Sequence, residues 1–395
     1  MYDTVRMQQV QSPVIPIIGD LVRSTPGTIS LGQGVVHYEP PRSAFEQVPR
    51  CLNNPENHKY HAVQGIPQLR ELLREKLQRE NGIPVESSGS ANPDSSRLCV
   101  TAGGNMAFAN TVPAIADPGD EIIILTPFYF NHEMAITIAG CKPVLVDTDE
   151  NYQPVPDRIR EAITSRTRGV LTVSPNNPTG AVYSETLLRE INQLCREHQI
   201  YHIHDEAYEY FTYEDAAHFS PGSIEGASTY TISLYSLSKA YGFAGWRIGY
   251  MVYPAHLEMS LKKIQDTILI CPPIISQYAA VGAIQAGSSY CRQWLQEYAE
   301  VRKTFLEELA QIKEFCTVPP ARGAFYFFLK IKSPLDDMEL AQRLVREYKV
   351  AVMPGQSFGI REGCYLRVAY GALRKESAVE GIHRLVRGLQ EIAGA

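Results

Sequence analysis

The sequence predicts an α/β fold, a mostly parallel central sheet flanked by helices, together with a smaller α+β domain. Three observations predict it. Between about residues 98 and 252, short apolar runs alternate with helix-like stretches. Those runs are apolar almost throughout, as in strands buried on both faces of a parallel sheet. From about residue 291 the texture changes to long amphipathic stretches separated by short strands.

Taken in order, strands are expected at 98–100, 121–125, 143–146, 169–173, 200–204, 230–234 and 248–252. A helix is expected over 184–198, with Ser184 as N-cap and Leu187, Leu188, Ile191, Leu194 and Cys195 on one face. An earlier helix over 66–80 turns Leu69, Leu72, Leu73 and Leu77 inward and stops at Asn81-Gly82. Residues 82–97, serine-rich and poor in large apolar side chains, read as an exposed loop. Residues 1–30, punctuated by Pro13, Pro16 and Pro26, read as an arm. Short strands at 324–329 and 365–368 fall in the C-terminal part. The expected division is 1–45 as N-terminal arm and part of the small domain, 46–285 as the large domain, and 286–395 as the small C-terminal domain.

Composition excludes several function classes. The 395 residues are 44% hydrophobic and 20% charged, with a formal net charge of −6, so no overall positive field draws the chain to nucleic acid or anionic lipid. No apolar run is long enough to span a membrane. The start, Met1-Tyr2-Asp3-Thr4-Val5-Arg6, lacks the apolar stretch of a secretory signal, and the eight cysteines form no C-x-x-C pair. A cytoplasmic enzyme with reduced cysteines is expected.

The segment from Ser236 through Ser238, Lys239, Gly242, Gly245 and Arg247 to Tyr250 carries the strongest chemical signal. A lysine held near other cations and out of water loses proton affinity, so its amine can attack a carbonyl and form a Schiff base. Hydroxyls and an arginine beside it are the donors a phosphate dianion needs. The combination points to a lysine-tethered phosphorylated aldehyde, pyridoxal phosphate; a solvated turn is the plain alternative. Other expected strand ends carry further polar groups. Gly103-Gly104-Asn105 opens a helix, Tyr129 follows 121–125, Asn177 follows 169–173, and Asp205 with Tyr208 follows 200–204. An aspartate there can keep a pyridine nitrogen protonated, or can simply cap a helix.

With these residues in place, the chain resembles the class I/II aminotransferases, fold type I pyridoxal-phosphate enzymes of which aspartate aminotransferase is the best-known member. The resemblance runs from Leu31-Gly32-Gln33-Gly34 to Tyr365-Leu366-Arg367-Val368-Ala369. It implies that Lys239 carries the cofactor, Asp205 pairs with its ring nitrogen, and Tyr208 and Asn177 serve its phenolic oxygen. It implies that Tyr129 stacks on the ring and that Gly103, Gly104, Asn105, Ser236, Ser238 and Arg247 hold the phosphate. Arg367, Gly34 and Asn177 would bind substrate, and His132 would stand behind Asp205. Tyr60 would reach the phosphate of a neighbouring subunit, which implies a homodimer. Cis bonds at Thr126-Pro127 and before Pro178 are implied as well. Substrates would be an amino acid and a 2-oxo acid, exchanged by a ping-pong mechanism. A β-lyase reaction on the same scaffold is the alternative, and a non-catalytic regulator a more distant one. His202 and His204 form an H-x-H, but no cysteine or carboxylate cluster completes a metal site, and no metal is expected. The stretch 248–290 has no arginine to meet an acidic side chain, which favours neutral, aromatic or sulfur amino acids.

Overall fold

The computed structural model describes residues 4–12, 14–86 and 90–393. After a short strand β1 (Ile29–Ser30), seven strands build the central sheet. They are β2 (Ser96–Thr101), β3 (Glu121–Thr126), β4 (Lys142–Asp147), β5 (Thr167–Val173), β6 (Tyr201–Asp205), β7 (Thr231–Ser236) and β8 (Gly249–Pro254). The order across the sheet is β2-β8-β7-β6-β5-β3-β4. Strands β3 to β7 run parallel, and β8 is antiparallel to both of its neighbours, β2 and β7. All seven expected strands are present.

The apolar runs are continuous because both faces of the sheet are covered. Leu98, Val100, Ile123, Leu125, Val170 and Val252 pack into one buried cluster. Cys99, Ile122, Ile124, Leu171, Ile203 and Met251 pack into another. Strand β4, at the sheet edge, is partly exposed and carries charge at both ends, as an edge requires. This topology gathers the carboxyl ends of β2, β3, β5, β6 and β7 on one rim. Because β8 runs the other way, the residues just before it, Arg247 among them, lie on that rim too.

A second sheet is antiparallel, with order β12-β13-β10-β9, built from β9 (Cys316–Thr317), β10 (Tyr326–Ile331), β12 (Met353–Pro354) and β13 (Cys364–Ala369). Strand β1 pairs in parallel with β11 (Val350–Ala351), tying the start of the chain to its C-terminal part. The segment read as an arm is helical instead, at Val5–Gln9 and Val14–Ser24. Pro16 sits in the first turn, where its missing N–H has no intrahelical partner to lose, so it does not break the helix.

Helix Glu185–Glu197 begins as expected, with the Ser184 hydroxyl accepting from the Leu187 N–H. The earlier helix differs. It is α-helical over Pro67–Lys76, continues as a π turn over Leu77–Asn81 and ends at Gly82, whose φ of 66° is left-handed. The π turn lets the buried Lys76 ammonium donate to Asn81 Oδ1 at 2.8 Å. In the expected loop after it, Val85 forms a bridge with Ser96; residues 87–89 lie outside the described residues. The Thr126-Pro127 and Asn177-Pro178 bonds are cis, as is Ser174-Pro175, which the sequence did not signal.

Helix Ile274–Ala286 packs against Arg42–Leu52 closely enough that Ser43 Oγ donates to the Gly282 carbonyl at 2.7 Å. A Cβ at Gly282 would collide with the Ser43 carbonyl and the Ala44 backbone. Gly282→Ala is expected to cost about 2 kcal/mol through this overpacking, read as a lower denaturant midpoint with unchanged slope.

Candidate active site

The rim of the central sheet faces the second sheet across a cavity of about 470 Å³. Lys239 reaches it from the end of β7. Ser236 caps the short helix Leu237–Ala240, its hydroxyl accepting from the Ser238 N–H at 3.2 Å. Tyr38 holds the same turn from behind, donating to the Lys239 carbonyl at 2.8 Å. The Lys239 ammonium donates to the carbonyl of Gly34. Burial, then the charges of Arg367 and Arg247, push its pKa down to about 8, against a smaller upward pull from Asp205.

Asp205 closes β6. Its Oδ2 lies 3.1 Å from His132 Nε2, and its Oδ1 accepts from the Ala207 N–H at 3.0 Å. The capping and ligand-facing readings are therefore both realised in part: one oxygen steadies the turn while the side chain lines the cavity. Tyr208, one turn on, is buried with its hydroxyl 2.6 Å from that of Tyr326. Arg367 enters from β13. Its Nη1 donates to Asn177 Oδ1 at 2.9 Å and its Nη2 to the Gly32 carbonyl at 2.7 Å, leaving a buried Nε without a partner. The guanidinium lies 4.8 Å from the Tyr326 ring and 4.9 Å from that of Phe358.

The opposite corner is built for an anion. Gly103, at a φ of 84°, caps helix Gly104–Ile115, so the N–H groups of its first turn open onto the cavity beside Gly104 and Asn105. Ser236, Ser238 and Arg247 line the same space. Arg247 Nη1 donates to the Ala244 carbonyl at 2.9 Å, which fixes its direction. Glycine is required at two of these positions. A Cβ at Gly103 would strike the Arg247 guanidinium, and one at Gly249 would strike the Gly103–Gly104 backbone. Tyr129 stands over the corner, accepting from Asn131 Nδ2 at 2.7 Å and facing His132 edge-on at 5.3 Å. Helix N–H groups, two hydroxyls and a guanidinium form a donor set that fits a phosphate dianion, and Lys239, Asp205 and Tyr208 fit the amine, acid and phenol contacts of pyridoxal phosphate.

Twelve of the residues singled out in the sequence therefore line one cavity. Gly103 lies under Arg247 and outside the lining. Tyr60 is 80% exposed and away from the cavity of its own chain. The sequence reading missed Tyr326, Gln33 and Met353, and it missed helix Val14–Ser24, which contributes Ile15, Ile18, Val22 and Arg23 to the wall. An amphipathic pattern could have revealed the helix, and only the prolines argued against it.

The H-x-H pair sits deeper in the sheet. Thr172 Oγ1 lies 2.8 Å from His202 Nε2 and 2.7 Å from His204 Nδ1. Burial pushes both imidazoles down, His204 to about 4, so they form an uncharged interior network. Among the described residues, Glu206, Glu209 and His218 bring possible ligand atoms close together. The Lys76 ammonium, Asn81 and Ser220 already fill that space.

Fold and site together define an enzyme of amino-group transfer, and comparison with known proteins gives the family. The family model for aminotransferases of class I and II matches residues 26–385. The chain is 33% identical to the aromatic aminotransferase ISS1 of Arabidopsis thaliana over 390 residues, 96% of this chain and 94% of the relative. It is 33% identical to an aspartate aminotransferase of Pyrococcus abyssi over 391 residues, 98% of each. The aspartate aminotransferase of Thermus thermophilus, solved with maleate, superposes with a TM-score of 0.88 at 32% identity, covering 98% of this chain and all of the other. The chain belongs to the class I and II aminotransferases and is a transaminase. Members of that family use pyridoxal phosphate.

The lowered pKa of Lys239 predicts a measurable titration. Reductive methylation of the cofactor-free protein, followed residue by residue by mass spectrometry, should give half-maximal reactivity of Lys239 near pH 8. The folded pKa lies below the unfolded value of 10.5, so the unfolded chain binds more protons between pH 8 and 10.5. The Lys239 contribution to stability should therefore rise with pH across that window and vanish in Lys239→Met.

Proposed function

We propose that the protein is a pyridoxal-phosphate-dependent aminotransferase, moving an amino group between an L-amino acid and a 2-oxo acid in a ping-pong cycle. The observation that carries this reading is the buried Lys239 amine, pushed down to about 8 between Arg247 and Arg367 and facing Asp205 across one cavity. When bound, the cofactor supplies a carbonyl that exchanges with amines and a protonated ring that draws electrons from the amino-bearing carbon.

The chain supplies the remainder. Arg367 grips the substrate carboxylate with its guanidinium, exchanging contacts now made to Asn177 and Gly32. Gly34 offers its backbone to the same group. Lys239 Nζ takes the proton from the substrate Cα and returns it on the other side of the transfer, a role suited to an amine poised near neutral pH. Asp205, steadied by His132, holds a proton on the ring nitrogen. Tyr208 and Asn177 donate to the phenolic oxygen, and Tyr129 covers the ring face. Ser236, Ser238, Arg247, Gly104 and Asn105 hold the phosphate, with Gly103 seating Arg247.

The exposed Tyr60, which serves nothing in its own chain's cavity, supports a homodimer in which it completes the partner's phosphate site. The pairing of β1 with β11 supports the division into a large domain over 46–285 and a small one joining the N-terminal segment to 286–395. Eight free cysteines, all but Cys271 buried, support a cytoplasmic setting. For the donor, the wall made by Ile15, Ile18, Val22, Phe130 and Met353 supports a large apolar or aromatic side chain. The stretch 248–290 contributes no residue to the cavity, and the added cation, Arg23, is paired with Asp20.

Lys239→Ala should abolish transfer, with a loss of at least about 10⁴-fold in kcat, and near wild-type turnover would sink the proposal. Asp205→Ala should still bind cofactor, seen in its absorbance, yet lose most of the rate. In a donor screen with one 2-oxo acid acceptor, phenylalanine, tyrosine and methionine should exceed aspartate in kcat/KM. Pyruvate and ammonia formed from a cysteine conjugate without acceptor would instead indicate a β-lyase.

A further inference from the structure

Tyr326 stands where three of the residues assigned above meet. Its hydroxyl lies 2.6 Å from that of Tyr208, and its ring lies 4.8 Å from the Arg367 guanidinium. A Cβ at Gly34 would collide with its hydroxyl. The side chain is fully buried on β10, opposite Ala369, and lines the cavity. Burial keeps both phenols protonated, with Tyr326 pushed up to about 12 and Tyr208 raised further. Two neutral phenols carry two protons, and only one can lie on the line between the oxygens. Either hydroxyl can donate to the other across that contact. When the Tyr208 proton serves an acceptor in the cavity, the proton between the two oxygens must be that of Tyr326.

We propose that Tyr326 is a positioning residue with two separable parts. Its hydroxyl donates to the Tyr208 oxygen and turns the Tyr208 proton toward the phenolic oxygen of pyridoxal phosphate, while its ring seats the Arg367 guanidinium. The inference rests on the cofactor reading above. A hydrogen bond aimed at the phenolic oxygen favours its anion and lowers the apparent pKa of the bound chromophore. A ring under a desolvated guanidinium holds it for the substrate carboxylate.

The test is a pH titration of the absorbance of the cofactor-loaded protein, with steady-state KM and kcat measured beside it. Tyr326→Phe removes only the hydroxyl. The chromophore pKa should rise by about half a unit, roughly three-fold in ionisation constant, while KM for the amino donor stays within about two-fold. Tyr326→Met removes hydroxyl and ring, and should show the same titration shift with KM raised about ten-fold; it also serves if Tyr326→Phe does not fold. Tyr208→Phe should raise the chromophore pKa as well, and adding Tyr326→Phe to it should change the titration no further. Unshifted titrations in the Tyr326 variants, or fully additive shifts in the double variant, overturn the inference while leaving the cofactor reading intact. A wild-type protein that forms no chromophore with pyridoxal phosphate overturns the cofactor reading, and the inference with it.

Discussion

The site is organised around an excess of positive charge, with Arg367 buried and Arg247 exposed. Lys239, Arg247 and Arg367 share one cavity with a single carboxylate, Asp205. Charges taken out of water are costly unless opposite charges or oriented dipoles meet them. Without ligand, the arginines rest on neutral acceptors: the Ala244 and Gly32 carbonyls and the Asn177 amide oxygen. Those contacts fix direction but neutralise nothing. The lysine, the one member able to lose its charge near neutral pH, has its pKa lowered by burial first and by the two arginines second. An anion at the Gly104 helix and a carboxylate at Arg367 would relieve the imbalance from its two ends. The proposed binding and proton transfer thus draw on one electrostatic arrangement.

Strand direction makes that arrangement possible. Five strand ends deliver their polar residues to one rim, and the reversal of β8 brings Arg247 to the same rim from the other end of a strand. Close approach at Gly249 lets the β8 start slide under the Gly103–Gly104 turn, so Arg247 meets the helix N-terminus. The antiparallel sheet then faces this rim with Arg367 and Tyr326, drawn from neighbouring strands β13 and β10. The residues proposed to bind carboxylate and phosphate are thereby brought to a single cavity by two separate sheets.

Much of this was legible in the sequence, for a physical reason. Strands covered on both faces must be apolar without interruption, so a polar group directly after one, such as Asp205 or Ser236, stands out. Asn177, Tyr129 and Gly104 were visible in the same way. Tyr326 was not, since a tyrosine inside Ala324-Phe325-Tyr326-Phe327-Phe328 has the composition of a packed strand, and only the fold shows its hydroxyl turned to Tyr208. The N-terminal helix was hidden by its prolines, which mark a helix start as readily as a broken chain. The His202–Thr172–His204 network was equally unreadable, because Thr172 lies on a different strand from the two histidines.

The residues that remain silent in the sequence are those proposed to choose the substrate. Cofactor chemistry demands particular functional groups at fixed places, and such groups leave a motif. A side-chain pocket demands only volume and polarity, which Ile15, Ile18, Val22, Phe130 and Met353 supply from three separated stretches of chain. Any apolar residue of similar size would serve at each, so none announces itself. Catalytic identity is therefore written in a few compulsory residues, whereas preference among amino acids is distributed over exchangeable ones. It is read only where the fold sets helix Val14–Ser24 and strand β12 against the rim that carries Lys239.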